Sequence, residues 1–135
     1  MTQRLNHPQI FVNLPVADLA ASKAFYSALG WEVNEEFTDE KASSVQASDT
    51  IFVMLLTREF FSTFHPKETA TADSPREVIT ALSVDSNEDV DEMLRRAREA
   101  GAHVHTEPHQ DEGMYIGAFS DPDGHAWEIF ASDWG

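Results

Sequence analysis

The stretch IFVNLPV, Ile10 to Val16, alternates in the manner of a strand, with Ile10, Val12 and Leu14 on one side and Phe11 and Asn13 on the other. Pro15 is expected to close it. Asp18 then has the chemistry of a helix N-cap, because its carboxylate can accept from the N–H groups that a first helical turn leaves unpaired. Leu19, Ser22, Phe25, Tyr26 and Leu29 recur at helical spacing, and Gly30 suits a left-handed stop. Strand patterning returns in WEVNEEF (Trp31 to Phe37), SSVQAS (Ser43 to Ser48) and TIFVMLLT (Thr50 to Thr57), the last apolar enough to be buried on both faces.

The second half of the chain repeats that order. VITALSVD (Val78 to Asp85) reads as a strand, and a helix is expected from about Asn87, with Val90, Met93, Leu94 and Ala97 facing a core and Gly101 at its end. Acidic residues fill its first turns and Arg95, Arg96 and Arg98 its last, which suits the helix dipole and is a structural pattern. AHVHTE (Ala102 to Glu107), MYIGAFS (Met114 to Ser120) and HAWEIFA (His125 to Ala131) follow as strands, the last two joined by the turn DPDG. Gly117 is a candidate bulge. The expected class is α+β: two tandem βαβββ modules, about 9–57 and 78–132, forming a curved mixed sheet around a cleft within one domain. Between them, residues 58–77 are expected to serve as a linker or a lid, with a short helix near Phe60, Phe61 and Phe64 and a mobile part from Thr69 to Pro75.

Composition narrows the function. Twenty-four acidic against 9 basic residues give a net charge of -15, which repels phosphate backbones and anionic lipid, so neither nucleic acid nor membrane is an expected partner. The longest apolar run, Ile51 to Leu56, is far short of the ~20 residues of a membrane span. Without an apolar leader at its start the chain is expected to be cytoplasmic. With no cysteine there is no disulfide, thiolate nucleophile or cysteine-ligated zinc.

Two motifs carry a family likeness. D-L-x-x-S-x-x-F-Y-x-x-L-G-W, Asp18 to Trp31, and D-P-D-G-x-x-x-E, Asp121 to Glu128, together resemble the vicinal oxygen chelate superfamily of glyoxalases, bleomycin and fosfomycin resistance proteins and extradiol dioxygenases. Sequences of this look are often labelled lactoylglutathione lyases. The resemblance implies a glyoxalase-like fold, a homodimer, and a divalent metal held by His or Glu from four strands. Counted along this chain, those four positions fall on Phe11, Leu55, Ile79 and Glu128, with a possible slip of one residue at Leu55 and Ile79. Only Glu128 keeps a ligand type, and a catalytic divalent ion takes about three protein ligands. A metal site here needs a partner chain or a rearranged set of histidines.

Glu128 is the candidate catalytic residue, as general base or as last metal ligand. The bland alternative is a carboxylate satisfied by Asn13, Gln46 or Tyr115. Phe11, Leu55 and Ile79 are expected to line the ligand cleft, and Asn13, Gln46 and Tyr115 to orient ligand oxygens or face solvent. His103 and His105, two apart on one strand, share a face and sit among His109, Glu107, Asp111 and Glu112, as a metal-chelating pair or a solvated patch. Trp31 and Trp127 are expected in the core, and Trp134 at the surface or in a dimer contact. Two functions follow: a glyoxalase-like small-molecule binder with lyase activity, or a metal-free protein of the bleomycin-resistance kind that sequesters a drug or metabolite.

Overall fold

Strands and helices form where the patterning places them, in two copies. The computed structural model describes residues 2–132, so the Trp134 expectation lies outside the described residues. The chain divides into two compact units, with the boundary between Lys67 and Glu68. Unit 1 holds β1 (Ile10–Val16), α1 (Leu19–Ala28), β2 (Glu32–Asn34), β3 (Ala42–Gln46), β4 (Ile51–Thr57) and α2 (Arg58–Phe61). Unit 2 holds β5 (Ile79–Ser83), α3 (Asn87–Glu99), β6 (His103–Asp111), β7 (Met114–Ser120) and β8 (Ala126–Ser132).

Each unit carries one four-stranded mixed sheet, ordered β1-β4-β3-β2 and β5-β8-β7-β6. The first strand of each runs parallel to the last, and the remaining pairs are antiparallel. The fold is therefore α+β, built from tandem βαβββ modules. The caps act as expected: Asp18 Oδ1 accepts from the Ala21 N–H at 3.1 Å, Ser86 Oγ accepts from Asp89 at 3.1 Å, and Gly30 stops α1 at φ 96°.

In both units the helix covers one face of its sheet. Tyr26 stacks on Trp31 at 5.4 Å and meets Phe25 edge-on at 5.1 Å, and these rings share the unit 1 core with the fully buried Val45, Val53 and Leu55. In unit 2, Val90, Leu94 and Ala97 of α3 are buried, as are Phe119, Trp127 and Ile129 of the strands. At about 1.5–3 kcal/mol for each fully buried large apolar side chain, these covered faces are the main favourable term holding each unit together.

Three local expectations are corrected. WEVNEEF stops being a strand at Asn34, whose side chain accepts from the Glu36 N–H at 3.2 Å and starts a short 3₁₀ turn. Strand β6 runs on to Asp111, through Pro108. The register shifts lie in β6, between Val104 and Thr106 and between Thr106 and His109, and not at Gly117. Gly117 is instead a close-approach site, since a Cβ there would lie 2.9 Å from Leu94 Cγ and 3.3 Å from Pro108 Cγ. In the stretch that follows unit 1, Thr69 is buried, Thr71 and Ser74 close a turn, and Arg76 Nη1 donates to the Gly124 carbonyl at 2.7 Å. No helix among the described residues is long and apolar enough to cross a membrane.

Candidate functional site

Because a helix covers one face of each sheet, the other face is where side chains are left for chemistry. In unit 1 the strand register puts Phe11, Asn13 and Pro15 of β1 beside Phe52, Met54 and Leu56 of β4, and these beside Gln46, Ser44 and Ala42 of β3. Phe11 remains 52% exposed and stacks on Phe52, with ring centroids 4.9 Å apart. Three of the predicted residues, Phe11, Asn13 and Gln46, thus share one face. Leu55 does not: it points the other way, is completely buried against the helix side, and leaves its neighbour Met54 beside Asn13. A run apolar on both faces hides its parity, and only the pairing with β1 reveals it.

In unit 2 the open face carries Ile79 and Ala81 of β5, Ala126 and Glu128 of β8, and Ala118 and Ser120 of β7. Glu128 stands opposite Ala81 on one side and Ala118 on the other. It is half-buried, and no hydrogen bond or ion pair reaches it among the described residues. Ile79 shares its face and is 54% exposed.

Tyr115 does not join them. It pairs with Ala131 on the helix-covered face, and its hydroxyl donates to Asp91 Oδ1 of α3 at 2.6 Å, a bond that raises the phenol pKa. It therefore cannot satisfy Glu128 or orient a ligand on that face, and its work is to tie α3 to the sheet.

His103 and His105 keep the shared face expected of them, with rings edge to face at 4.6 Å. The imidazole of His105 hydrogen-bonds the Ser120 hydroxyl through Nε2. Its pKa is lowered, first by burial and then by the charges of His103 and Arg76. Sequence reasoning singled out neither Ser120 nor Arg76. The only signal for Ser120 was its place at the end of β7, opposite His103, which requires the register to be known.

The intervals to the helix caps relate the two faces. Phe11 precedes the cap Asp18, and Ile79 the cap Ser86, by the same seven residues. The parallel pairings Asn13 with Met54 and Ala81 with Glu128 then set Met54 in unit 1 where Glu128 stands in unit 2.

A family model of the glyoxalase/bleomycin resistance protein/dioxygenase superfamily matches residues 4–129. The chain belongs to that superfamily. No curated protein matches. Among solved structures, the chain is similar to the hypothetical protein SA1046 of S. aureus, at 32% identity over 93% of this chain and 94% of that one, with a TM-score of 0.79. It shares its fold with TnmS3, an antibiotic-binding protein from Streptomyces sp. CB03234, at 23% identity, 98% and 100% coverage and a TM-score of 0.68. It also shares it with a lactoylglutathione lyase from Agrobacterium tumefaciens, at 22% identity, 90% and 91% coverage and a TM-score of 0.65.

The superfamily's catalytic members use a divalent metal, and the side chains present here do not fit one. A phenyl at Phe11, a thioether at Met54 and an alkyl at Ile79 offer no hard oxygen or nitrogen donor, and Glu128 is one carboxylate between two alanines. Among the described residues no three His, Asp or Glu side chains come together as a cation site.

Proposed function

We propose that this superfamily member binds a small organic molecule with a cationic or hydrogen-bond-donating group, and that Glu128 receives that group. The carrying observation is the half-buried carboxylate flanked by Ala81 and Ala118, without a hydrogen bond or ion pair among the described residues. A carboxylate set between two methyl groups and engaged by no protein donor among the described residues is open to a donor supplied by a ligand. The net charge of -15 gathers cations around the molecule. The antibiotic-binding relative supports a binding role.

Titration calorimetry with aromatic monocations and their neutral isosteres tests this reading. The cation should bind at least tenfold more tightly than its isostere, and Glu128→Gln should erase that preference. A Glu128→Gln variant that keeps the wild-type preference for the cation overturns the role of Glu128 and leaves sequestration by apolar surface.

The same unpartnered carboxylate favours a second reading, with Glu128 as a general base in a lyase reaction like that of the Agrobacterium relative. General bases contribute on the order of 10²–10⁴ in rate, so Glu128→Gln should cut any lactoylglutathione lyase turnover by at least that lower figure while ligand binding persists. A homodimer is the assembly we propose, to be read from light scattering of the purified protein.

A further inference from the structure

The open face of unit 2 has a second polar centre at the end where β6, β7 and β8 come together. Ser120, the last residue of β7, pairs with His103 at the start of β6 and with Ala126 at the start of β8. Its hydroxyl is held by His105 Nε2, and the His105 ring lies edge to face against that of His103. Arg76 reaches the same end from the segment before β5. Its Nη1 donates to the carbonyl of Gly124, in the turn that leads into β8. That turn is itself braced, because Gly124 has φ +85° and a Cβ there would sit 3.3 Å from Ala72. One hydrogen bond uses one of the five guanidinium donors, and no carboxylate pairs with Arg76 among the described residues.

We propose that this end of the face is an anion subsite, in which the Arg76 guanidinium, the imidazoles of His103 and His105 and the Ser120 hydroxyl receive a carboxylate or phosphate group. Resting on the reading of Glu128 given above, it makes the ligand bifunctional, with a donor at one end and an acid at the other. Ser120 lies diagonal to Glu128 across the β7–β8 pair, which sets the two groups roughly 7–8 Å apart at the backbone.

Three observations carry the assignment. First, a guanidinium, two imidazoles and a hydroxyl gather on a chain of net charge -15, with no acid bonded to any of them among the described residues. Second, Asp121, the acid next to Ser120, is directed into the turn, where its Oδ1 accepts the Asp123 and His125 N–H groups at 3.0 and 2.8 Å, and Glu107, two residues from His105, pairs with Arg98. Third, the core does not need these side chains: His103, His105 and Arg76 are all exposed, so their convergence is not a by-product of packing. The pKa of His105 is depressed by burial first, and then by the charges of His103 and Arg76, which places both cations near it. A guanidinium fork beside neutral imidazole and hydroxyl donors is the donor set that planar carboxylates and phosphates select.

Inorganic phosphate and benzoate are the probes, added separately in a chloride background of constant ionic strength. The ring C–H resonances of His103 and His105 report binding in the wild-type protein and in the Arg76→Gln, Ser120→Ala and Glu128→Gln variants. Saturable shifts at both histidines are expected, with Arg76→Gln weakening binding at least tenfold in protein that remains folded at the temperature of the measurement. Ser120→Ala should weaken it by a smaller factor, and Glu128→Gln by less than twofold. Whichever probe binds more tightly identifies the acid as phosphate or carboxylate. Non-saturating shifts, or an Arg76→Gln variant that binds as the wild type does, overturn the subsite. Because Glu128→Gln removes cation preference and leaves anion binding, the two readings fail separately.

Discussion

The two units present the same architecture with different chemistry on their open faces. In unit 1 that face is aromatic and neutral, with Phe11 stacked on Phe52 and Asn13, Met54, Ser44 and Gln46 around them. In unit 2 it is ionic, with Glu128 between alanines and Arg76, His103, His105 and Ser120 at one end. The covered faces, by contrast, are alike: large apolar side chains packed beneath a capped helix. A duplicated module keeps the face that stabilises it, because each buried methylene there is worth about 0.8 kcal/mol, while the open face is free to diverge. Met54 and Glu128, at matching places in the two units, show that divergence in a single pair.

The sharpest way to break the comparison is to exchange faces. Leu55→Ala should cost about 2–5 kcal/mol in urea denaturation, since the side chain is fully buried, whereas Met54→Ala one residue away should cost less than about 1 kcal/mol. Equal costs would mean that the parity of β4 is wrong. Gly117→Ala comes next, at about 1–3 kcal/mol, because its new methyl meets Leu94 and Pro108 on the covered face. Tyr115→Phe should cost about 0.5–1.5 kcal/mol by losing the bond to Asp91, and should leave ligand affinity unchanged. A large affinity loss there would put Tyr115 back into the ligand site.

The smallest effect concerns pH. The folded protein depresses the pKa of His105, so the unfolded chain takes up that proton more readily. Stability is therefore fully present above the unfolded histidine value near 6.5 and falls as pH drops below it toward the lower folded value. His105→Gln should flatten that part of the stability profile. A saturating anion should raise the His105 pKa, which NMR titration reads directly. On the helix surface Glu92 runs the same way at lower pH: hydrogen bonds from Arg95 and Arg96 hold its carboxyl at about 2, and that contribution fades as pH falls through the acid range.

Much of the fold was legible along the chain. Local signals were enough for β1, α1 and α3, because caps, periodicity and a closing glycine act within a few residues. They missed the end of β2, where the Asn34 side chain competes for the backbone, and the length of β6, which continues past the expected Glu107 through Pro108 to Asp111. Of the candidate site residues, Phe11, Asn13 and Gln46 share one face in unit 1, and Ile79 and Glu128 share one in unit 2. Leu55 and Tyr115 were assigned to the wrong face. Thr50 to Thr57 is apolar at nearly every position, and MYIGAFS alternates without saying which side is covered, so neither carries its own parity.

By itself, then, the sequence determined the elements, the duplication and the type of group at each position, since these follow from near-neighbour sterics, capping and period. Only the tertiary structure decided which face each strand side chain joins, that Met54 and not Leu55 is the counterpart of Glu128, and that His105 meets Ser120 while Arg76 reaches the Gly124 carbonyl. Those outcomes depend on strand register and on a segment fastened to a turn 48 residues away, and hydrogen bonds across such distances leave no periodic mark in the chain.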